Sequence, residues 1–536
     1  MGQTDLQAVA SADAEGSRAE TRLAELLCAL SFATGLATGA PMEHGLRSAY
    51  LGLRVAEALG LPAAERGAVY YGALLKDVGC TACAAGIAIF FPEDELAPRL
   101  DMLTVDPTRA GDVLSWLWRN VPVDAQLPGR VAKLLSFAAQ SGPVVNEAMR
   151  AHCEVAELFA RRLEFPETVQ QTVRYQLERW DGKGFAAYHL KGEAAPTPAR
   201  VLQLAQVLEL THALGGRAAA RTLAEGRGGG RFDPAATGAF LSLAEDSGFW
   251  EPLDVLASEE AVAAMIAMAP PTAIEGASAD RTEEVCEAVA DFIDAKTRQD
   301  WHHSPTVAGV AVEIGRGLGF GGDDLTRLRR AALLHDVGKV AVPFGILEKG
   351  DRLSAAEREQ VRLHTYYTQR VLERVGPLRE LAPAAAAHHE WVNGEGYHRQ
   401  LAGEQIPLHG RVLAVADAYV RATQGRDDGR GTEEALTGMR GGAGVQFDRA
   451  CVEALAAARG QTGPVRRVRR RRGEGLSERE EEVLRLLAQG MSNPQIGQAL
   501  SISRKTVEHH LEHVYTKLGV TCRTSAVAWA VQRGLV

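Results

Sequence analysis

The sequence predicts a mainly α protein, built as two helical bundles in tandem with a small helical module at the C-terminal end. Three observations carry this expectation. The chain is rich in alanine, holds only 6% aromatic residues and has few alternating β-branched runs, which favours helices over strands. Its 536 residues exceed what one ordinary core organises and suffice for two helical domains and a smaller one. The third observation is an internal repeat. Leu74 to Cys80 reads LLKDVGC and Leu333 to Lys339 reads LLHDVGK, 259 positions later, and His44 precedes His303 by the same 259. Further on the offset becomes 212: His152 precedes His364, and QLERWDGKGFA (Gln176 to Ala186) precedes HHEWVNGEGYH (His388 to His398).

Taken in order, residues 1–20 are polar and acidic without an apolar core, which predicts a disordered lead rather than a signal peptide or membrane span. Residues 21–267 form the first bundle, whose stretches AELFARRLEF and RVLQLAQVLEL keep helical apolar periodicity. Residues 268–282, with adjacent prolines and small residues, predict a linker. Residues 283–463 form the second bundle, and residues 464–475, holding six arginines, a basic linker. In residues 476–536, Ser477 with Glu480 and Ser492 with Gln495 are capping-box signatures that open two helices. A third amphipathic run, Arg504 to Leu518, places Val507, Leu511, Val514 and Leu518 on one face, the pattern of a helix-turn-helix. From Arg466 onward 13 Lys or Arg stand against 7 Asp or Glu, so a basic end sits on an acidic body in a chain of net charge −9. Seven cysteines without a disulfide framework suit the cytoplasm.

The second bundle concentrates chemistry-bearing residues. Neighbouring helical residues point about 100° apart, so His335 and Asp336 suit two ions bridged by the carboxylate better than one, and His388–His389 repeats the arrangement. With His303, His364 and Asp417 they make the donor set of a two-metal phosphoesterase, in which a paired centre activates water and clamps a phosphodiester. The mixed imidazole and carboxylate donors suit iron or manganese, with zinc as an alternative, over magnesium. Lys339, four residues after His335 and three after Asp336, falls on the same face if the helix continues, where it would meet a substrate phosphate. Asp336 and Lys339 are therefore the expected catalytic residues.

LLHDVGK, VPFGILEKGDRLS, His364, HHE, GEGY and VADAY resemble the HD-GYP phosphodiesterases, a branch of the HD phosphohydrolases that hydrolyse cyclic di-GMP. The likeness spans roughly Gln299 to Phe447. It implies a helical HD-type bundle and two divalent ions on His303, His335, Asp336, His364, His388, His389 and Asp417. It also implies substrate contacts from Lys339, Gly396, Tyr397 and Arg399. The chain departs from the family at His398, where proline is usual, at Asn393, and at Val420, where a second aspartate is usual. Gln299 stands where some members carry a glutamate for a third ion, so two ions are expected.

The first copy has lost most of these donors. Lys76 stands for His335, Cys80 for Lys339, Gln176 and Leu177 for the histidine pair, and Gln206 for Asp417; His44, Asp77 and His152 remain. This copy is expected to hold no two-metal centre and to act as a sensor or structural partner. It carries 47 more residues between Cys80 and His152 than its counterpart, including Phe90, Phe91, Trp116 and Trp118, which read as packing for an added helix pair before a ligand pocket. Cys80 and Cys83 form a CxxC without a second pair, and packing is the better reading there too.

Leu476 to Val536 resembles the LuxR-type helix-turn-helix, matching SERE, EVLRLLAQG, SNPQI, LSIS, KTV, KLGV and RGLV. This implies a four-helix module whose helix from Arg504 enters the major groove, with Arg504, Lys505, Thr506, His509 and His510 toward DNA and Lys517 near the backbone. The whole reads as a cytoplasmic transcriptional regulator that couples cyclic dinucleotide hydrolysis to DNA binding. Its expected partners are double-stranded DNA, a cyclic dinucleotide and a second copy on DNA, with no membrane. The alternative reading keeps both bundles as non-catalytic ligand sensors that control the DNA reader.

Overall fold

The computed structural model describes residues 23–88, 91, 94–106, 108–120, 127–184, 188–254, 259–270, 281–296, 302–424, 430–460, 476–518, 520 and 523–532. Among them every regular element is a helix, with three isolated β-bridges, so the mainly α expectation holds. The described chain forms two compact units, one taking in the residues up to Thr282 with Pro343–Gly345 and Met491–Trp529, the other Glu283–Val342, Ile346–Gly490 and the residues from Ala530. The expected disordered lead, most of the linker after residue 268 and the arginine-rich linker lie outside the described residues.

In the first repeat, α1 (His44–Ala58), α2 (Ala63–Leu75) and α7 (Thr197–Arg227) form the bundle centre, each packed on the other two. Their apolar faces bury Leu46, Leu51, Val69, Leu74, Leu202 and Leu208. Between α2 and α7 lie α3 (Cys80–Ala88), α4 (Leu96–Thr104), α5 (Ala110–Asn120) and α6 (Leu127–Arg162). The extra residues pack as the plainer expectation has it. Phe91, Val105, Trp116 and Leu117 make a small buried cluster, the Phe91 and Trp116 rings meeting edge-on at 5.7 Å, while Trp118 is exposed. Phe90 lies outside the described residues. Asp106 anchors this segment: it accepts from Arg179 at 2.7 Å and from Arg227, and Arg227 reaches Asp112 at 2.8 Å.

The second repeat contributes α8 (Thr282–Asp294), α9 (His303–Gly317), α10 (Gly322–Leu334), α11 (His364–Glu373), α12 (Ala382–Ala386) and α13 (Leu408–Thr423). Helix α9 packs on α10 and α13, and α12 on α11 and α13. The duplication is visible in backbone contacts as well as in sequence. A Cβ on Gly338 would meet the His364 carbonyl oxygen at 1.9 Å, and one on Gly79 would meet that of His152 at 2.0 Å. The turn after the His335–Asp336 pair and the start of α11 therefore touch through bare backbone, which only glycine permits. Gly396 lies against the backbone of His389 to Trp391 as Gly184 does against Leu177 to Arg179. Arg411–Asp448 at 2.6 Å matches the ion pair of Arg200 with Asp233.

The C-terminal module consists of α14 (Glu478–Ala488), α15 (Asn493–Leu500), α16 (Arg504–Leu518) and α17 (Arg523–Gln532). The Ser477–Glu480 box forms in both directions, and Gln495 accepts from the Ser492 backbone N–H and hydroxyl, both at 2.8 Å. Ser501 ends α15 in the left-handed region, φ 55°, and turns the chain into α16, whose buried residues are Val507, Leu511, Val514 and Leu518. Among the described residues no helix is long and apolar enough to cross a membrane.

Candidate metal centre and DNA-reading helix

The seven expected ligands come from separate elements. His303 opens α9, His335 and Asp336 follow the last residue of α10, His364 opens α11, His388 and His389 follow α12, and Asp417 sits inside α13. All but His389, which is partly exposed, are buried. Their donor atoms gather in two groups, each within 4.8 Å: His303, His335, Asp336 and Asp417 in one, His364, His388 and His389 in the other. Asp336 faces both. Its Oδ2 lies 3.2 Å from His335 Nε2 and 3.7 Å from His303 Nε2; its Oδ1 lies 3.4 Å from His364 Nε2 and 3.5 Å from His388 Nε2.

Backbone carbonyls aim the imidazoles. His335, His364 and His388 each direct Nδ1 to the carbonyl three residues earlier, Ala332 at 2.7 Å, Val361 at 2.6 Å and Ala385 at 2.6 Å. This fixes each ring with Nε2 toward the centre, as an outer hydrogen bond does for a metal-bound histidine. Two of the inward atoms, His335 Nε2 and Asp336 Oδ1, are buried without a hydrogen-bond partner. Buried polar atoms left unsatisfied are costly, and here they are of donor type and converge, so the residues fit a pair of divalent ions.

The electrostatics agree. Burial opposes ionisation of Asp336, but His335 and Lys339 outweigh it and hold the carboxyl well below the usual range. Burial likewise opposes charge on Asp417, and Arg421 with His303 reverses it. Burial works against a charged His335, yet Asp336 and Asp417 raise it to about 10. Burial, with help from His388, lowers His364 to about 3 despite Asp336. Burial also lowers His389, with His388 adding to the effect. The lone pairs of His364 and His389 are thus available at neutral pH, whereas His335 is held protonated by the two carboxylates and would give up that proton to an ion.

Lys339 reaches Asp336 Oδ2 at 2.7 Å, though not by the route expected. The α-helix stops at Leu334 and the chain continues as a 3₁₀ turn, Val337–Ala341. Three residues per turn stack Lys339 over Asp336, where an α-helix would have favoured His335. Tyr397 stacks on His389 at 4.9 Å and lies under the Arg362 guanidinium at 5.2 Å. His398 bonds to Thr365 Oγ1 through Nδ1 at 3.0 Å, next to His364, and Asn393 is tied to Glu395. The Arg399 side chain is exposed, its backbone N–H held by Glu390 at 2.7 Å. Gln299 lies outside the described residues.

Arg421 escaped the sequence reading. One turn after Asp417, it donates from Nε to Asp417 Oδ1 at 2.9 Å and from Nη2 to Asp336 Oδ2 at 3.2 Å. Only its i+4 spacing from Asp417 pointed to it.

In the first repeat the corresponding place is filled from within. Lys76 pairs with Asp77, Gln176 donates to the Lys76 carbonyl at 2.8 Å, and Gln206 to the Gln176 carbonyl at 3.1 Å. Asp77, Cys80 and His152 still bring three donor-type atoms together, with Cys80 Sγ 3.6 Å from His152 Nδ1. Burial pushes the Cys80 and Cys83 thiols above their ordinary range, which disfavours thiolate there. His44 Nδ1 meets Glu209, which also takes Arg47 at 2.9 Å.

On α16, Arg504, Lys505, His509 and Lys517 are exposed and Thr506 and His510 half-buried, with Lys505 and His509 pointing away from the packed face. Arg504 is paired with Glu508 at 2.7 Å.

A helical bundle whose His-Asp pair presents one carboxylate to two sets of imidazoles defines the class of metal-dependent HD phosphohydrolases. The chain belongs to it: residues 124–235 and 260–451 match the HD domain family, and residues 474–530 match the bacterial regulatory proteins of the luxR family. It is a tandem HD-GYP protein with a degenerate first copy and a LuxR-type DNA-binding domain. It is 30% identical over 397 residues to 3'3'-cGAMP-specific phosphodiesterase 3 of Vibrio cholerae, covering 74% of this chain and 85% of that one. It is 33% identical over 138 residues to a cyclic di-GMP phosphodiesterase of Thermotoga maritima, covering 25% of this chain and 37% of that protein. The crystal structure of a cyclic GMP-AMP specific phosphodiesterase from V. cholerae superposes with a TM-score of 0.55 at 27% identity, over 82% of this chain and 98% of that one.

Proposed function

We propose that the second repeat hydrolyses a cyclic dinucleotide, 3'3'-cGAMP or cyclic di-GMP, and that its state is passed to the LuxR-type module, making the chain a transcriptional regulator of the cytoplasm. The observation that carries this reading is Asp336, each of whose oxygens faces a separate set of imidazoles. His303, His335, Asp336 and Asp417 would hold one ion, and His364, His388 and His389 with the other oxygen of Asp336 the second; iron or manganese suits these donors best. Such a pair supplies an activated water and charge neutralisation at phosphorus. Lys339 places an ammonium beside Asp336, where it would meet a non-bridging phosphate oxygen and the charge that develops on it. Tyr397, held by His389 and Arg362, would border the base of a bound dinucleotide beside the ions. The LuxR-type helix α16 would read the major groove, with a second copy on a two-fold operator.

The test is to load the purified chain with manganese or iron, incubate it with each dinucleotide and follow the linear product. Sustained turnover that Asp336→Ala abolishes, by at least about a hundredfold, is the expected result. Tight binding without turnover would instead establish the sensor reading, which the replacements at His398 and Val420 favour.

A further inference from the structure

On the two-ion reading of this site, two ions must enter a centre that already holds charged side chains. We propose that Arg421 is a resident cation occupying one of the two ion positions, so that the pair loads in a fixed order: first the position at His364, His388 and His389, then the one that Arg421 vacates.

The two halves of the centre differ in what already faces them. In the half formed by His303, His335, Asp336 and Asp417, Arg421 Nη2 lies 3.3 Å from His303 Nε2 and 3.2 Å from Asp336 Oδ2. Its Nε lies 2.9 and 3.2 Å from the two oxygens of Asp417. Three of the four donors in that half therefore already face one guanidinium. A divalent ion would sit about 2.0–2.2 Å from the same atoms, a distance at which ion and guanidinium cannot both be accommodated. In the other half, Asp336 Oδ1 is buried without a hydrogen-bond partner, and the nitrogens of His364 and His388 stand 3.4 and 3.5 Å from it. Lys339 and Arg421 both approach Oδ2, so the positive charge on Asp336 is concentrated on one of its oxygens.

Arg421 also has a way out. It lies near the end of α13, and its side chain is 38% exposed, so the guanidinium can rotate into solvent while its stem stays attached to the helix. A partly exposed ion pair is held weakly enough for a divalent ion to displace it. The first repeat applies the same principle without the exit: Lys76 neutralises Asp77 from a position only 1% exposed.

The experiment is a titration of metal-free, full-length protein with Mn²⁺, followed by calorimetry for affinity and by electron paramagnetic resonance for the change from isolated to coupled ions. The wild type is expected to bind a first equivalent tightly and a second more weakly. Arg421→Ala and Arg421→Gln are expected to leave the first equivalent unchanged and tighten the second by at least about fivefold. Arg421→Lys, which keeps the charge, should leave the second equivalent weaker than in either neutral variant. Circular dichroism shows whether each variant keeps its helices, and the glutamine variant preserves most of the side-chain stem should alanine disturb packing. Both equivalents unchanged in the neutral variants, or a change confined to the first, would overturn the proposal. A wild type and neutral variants that all fail to bind two equivalents, with Asp336→Ala losing none, sinks the two-ion reading itself, a separable result.

Discussion

The ammonium of Lys76 is buried against the carboxylate of Asp77, at the two positions that His335 and Asp336 hold in the second repeat. One dipeptide slot thus serves as an internal ion pair in one copy and as donors for a metal in the other. Removing one partner leaves an uncompensated buried charge. Lys76→Met is expected to destabilise the first repeat by about 3–5 kcal/mol, and Lys76→Met with Asp77→Asn by much less. Urea unfolding of the four members of this double-mutant cycle measures the coupling, and additive losses would contradict it.

A comparison of the copies also exposes a missing partner. His44 Nδ1 is held by Glu209, whereas His303 Nδ1 is buried without a hydrogen-bond partner, and the residue that corresponds to Glu209 is Val420. Val420→Glu is expected to return a carboxylate to His303 and tighten metal binding roughly tenfold. Competition between the protein and a chromogenic chelator reads the change; unchanged affinity in a folded variant would show that His303 needs no such support.

Acid should loosen the inserted segment of the first repeat. Burial disfavours the charged form of Asp106, but hydrogen bonds from Thr108 and Arg179 outweigh it and lower its pKa to about 2. A carboxyl depressed in the folded state adds stability that is fully present above the unfolded value near 3.9 and disappears as pH falls toward 2. Asp106→Asn is therefore expected to cost about 2 kcal/mol at pH 6, with the gap to wild type closing as pH falls below 4. Urea midpoints taken across that range check both sign and window.

DNA affinity should rise when the pairing on α16 is removed. Glu508 holds Arg504 at 2.7 Å on the exposed face. Glu508→Lys frees that guanidinium and adds a charge, so the log–log dependence of binding on salt should steepen by about one to two units. Fluorescence anisotropy of the full chain on duplex DNA measures the slope; an unchanged slope would place α16 away from phosphate.

The fold and the convergence of the seven candidate donors were legible because both rest on strong local signals: capping boxes, apolar periodicity and a donor order shared at constant offsets by two copies. Arg421 was not, because an arginine near a helix end reads as solvated until tertiary structure brings Asp336 under it. Lys339 lies beside Asp336, but through a 3₁₀ turn instead of the continued α-helix that its spacing suggests. The role of Glu209 was equally hidden: its partner His44 lies 165 residues away, and only folding makes them neighbours.

The glycine that meets the carbonyl of His364 has its twin beneath His152. Because this joint is made of main chain alone, it transmits position whatever side chains surround it. Loss of the reactive groups therefore leaves the joinery undisturbed, and a duplicated half can retire from chemistry while still setting the spacing of its own helices.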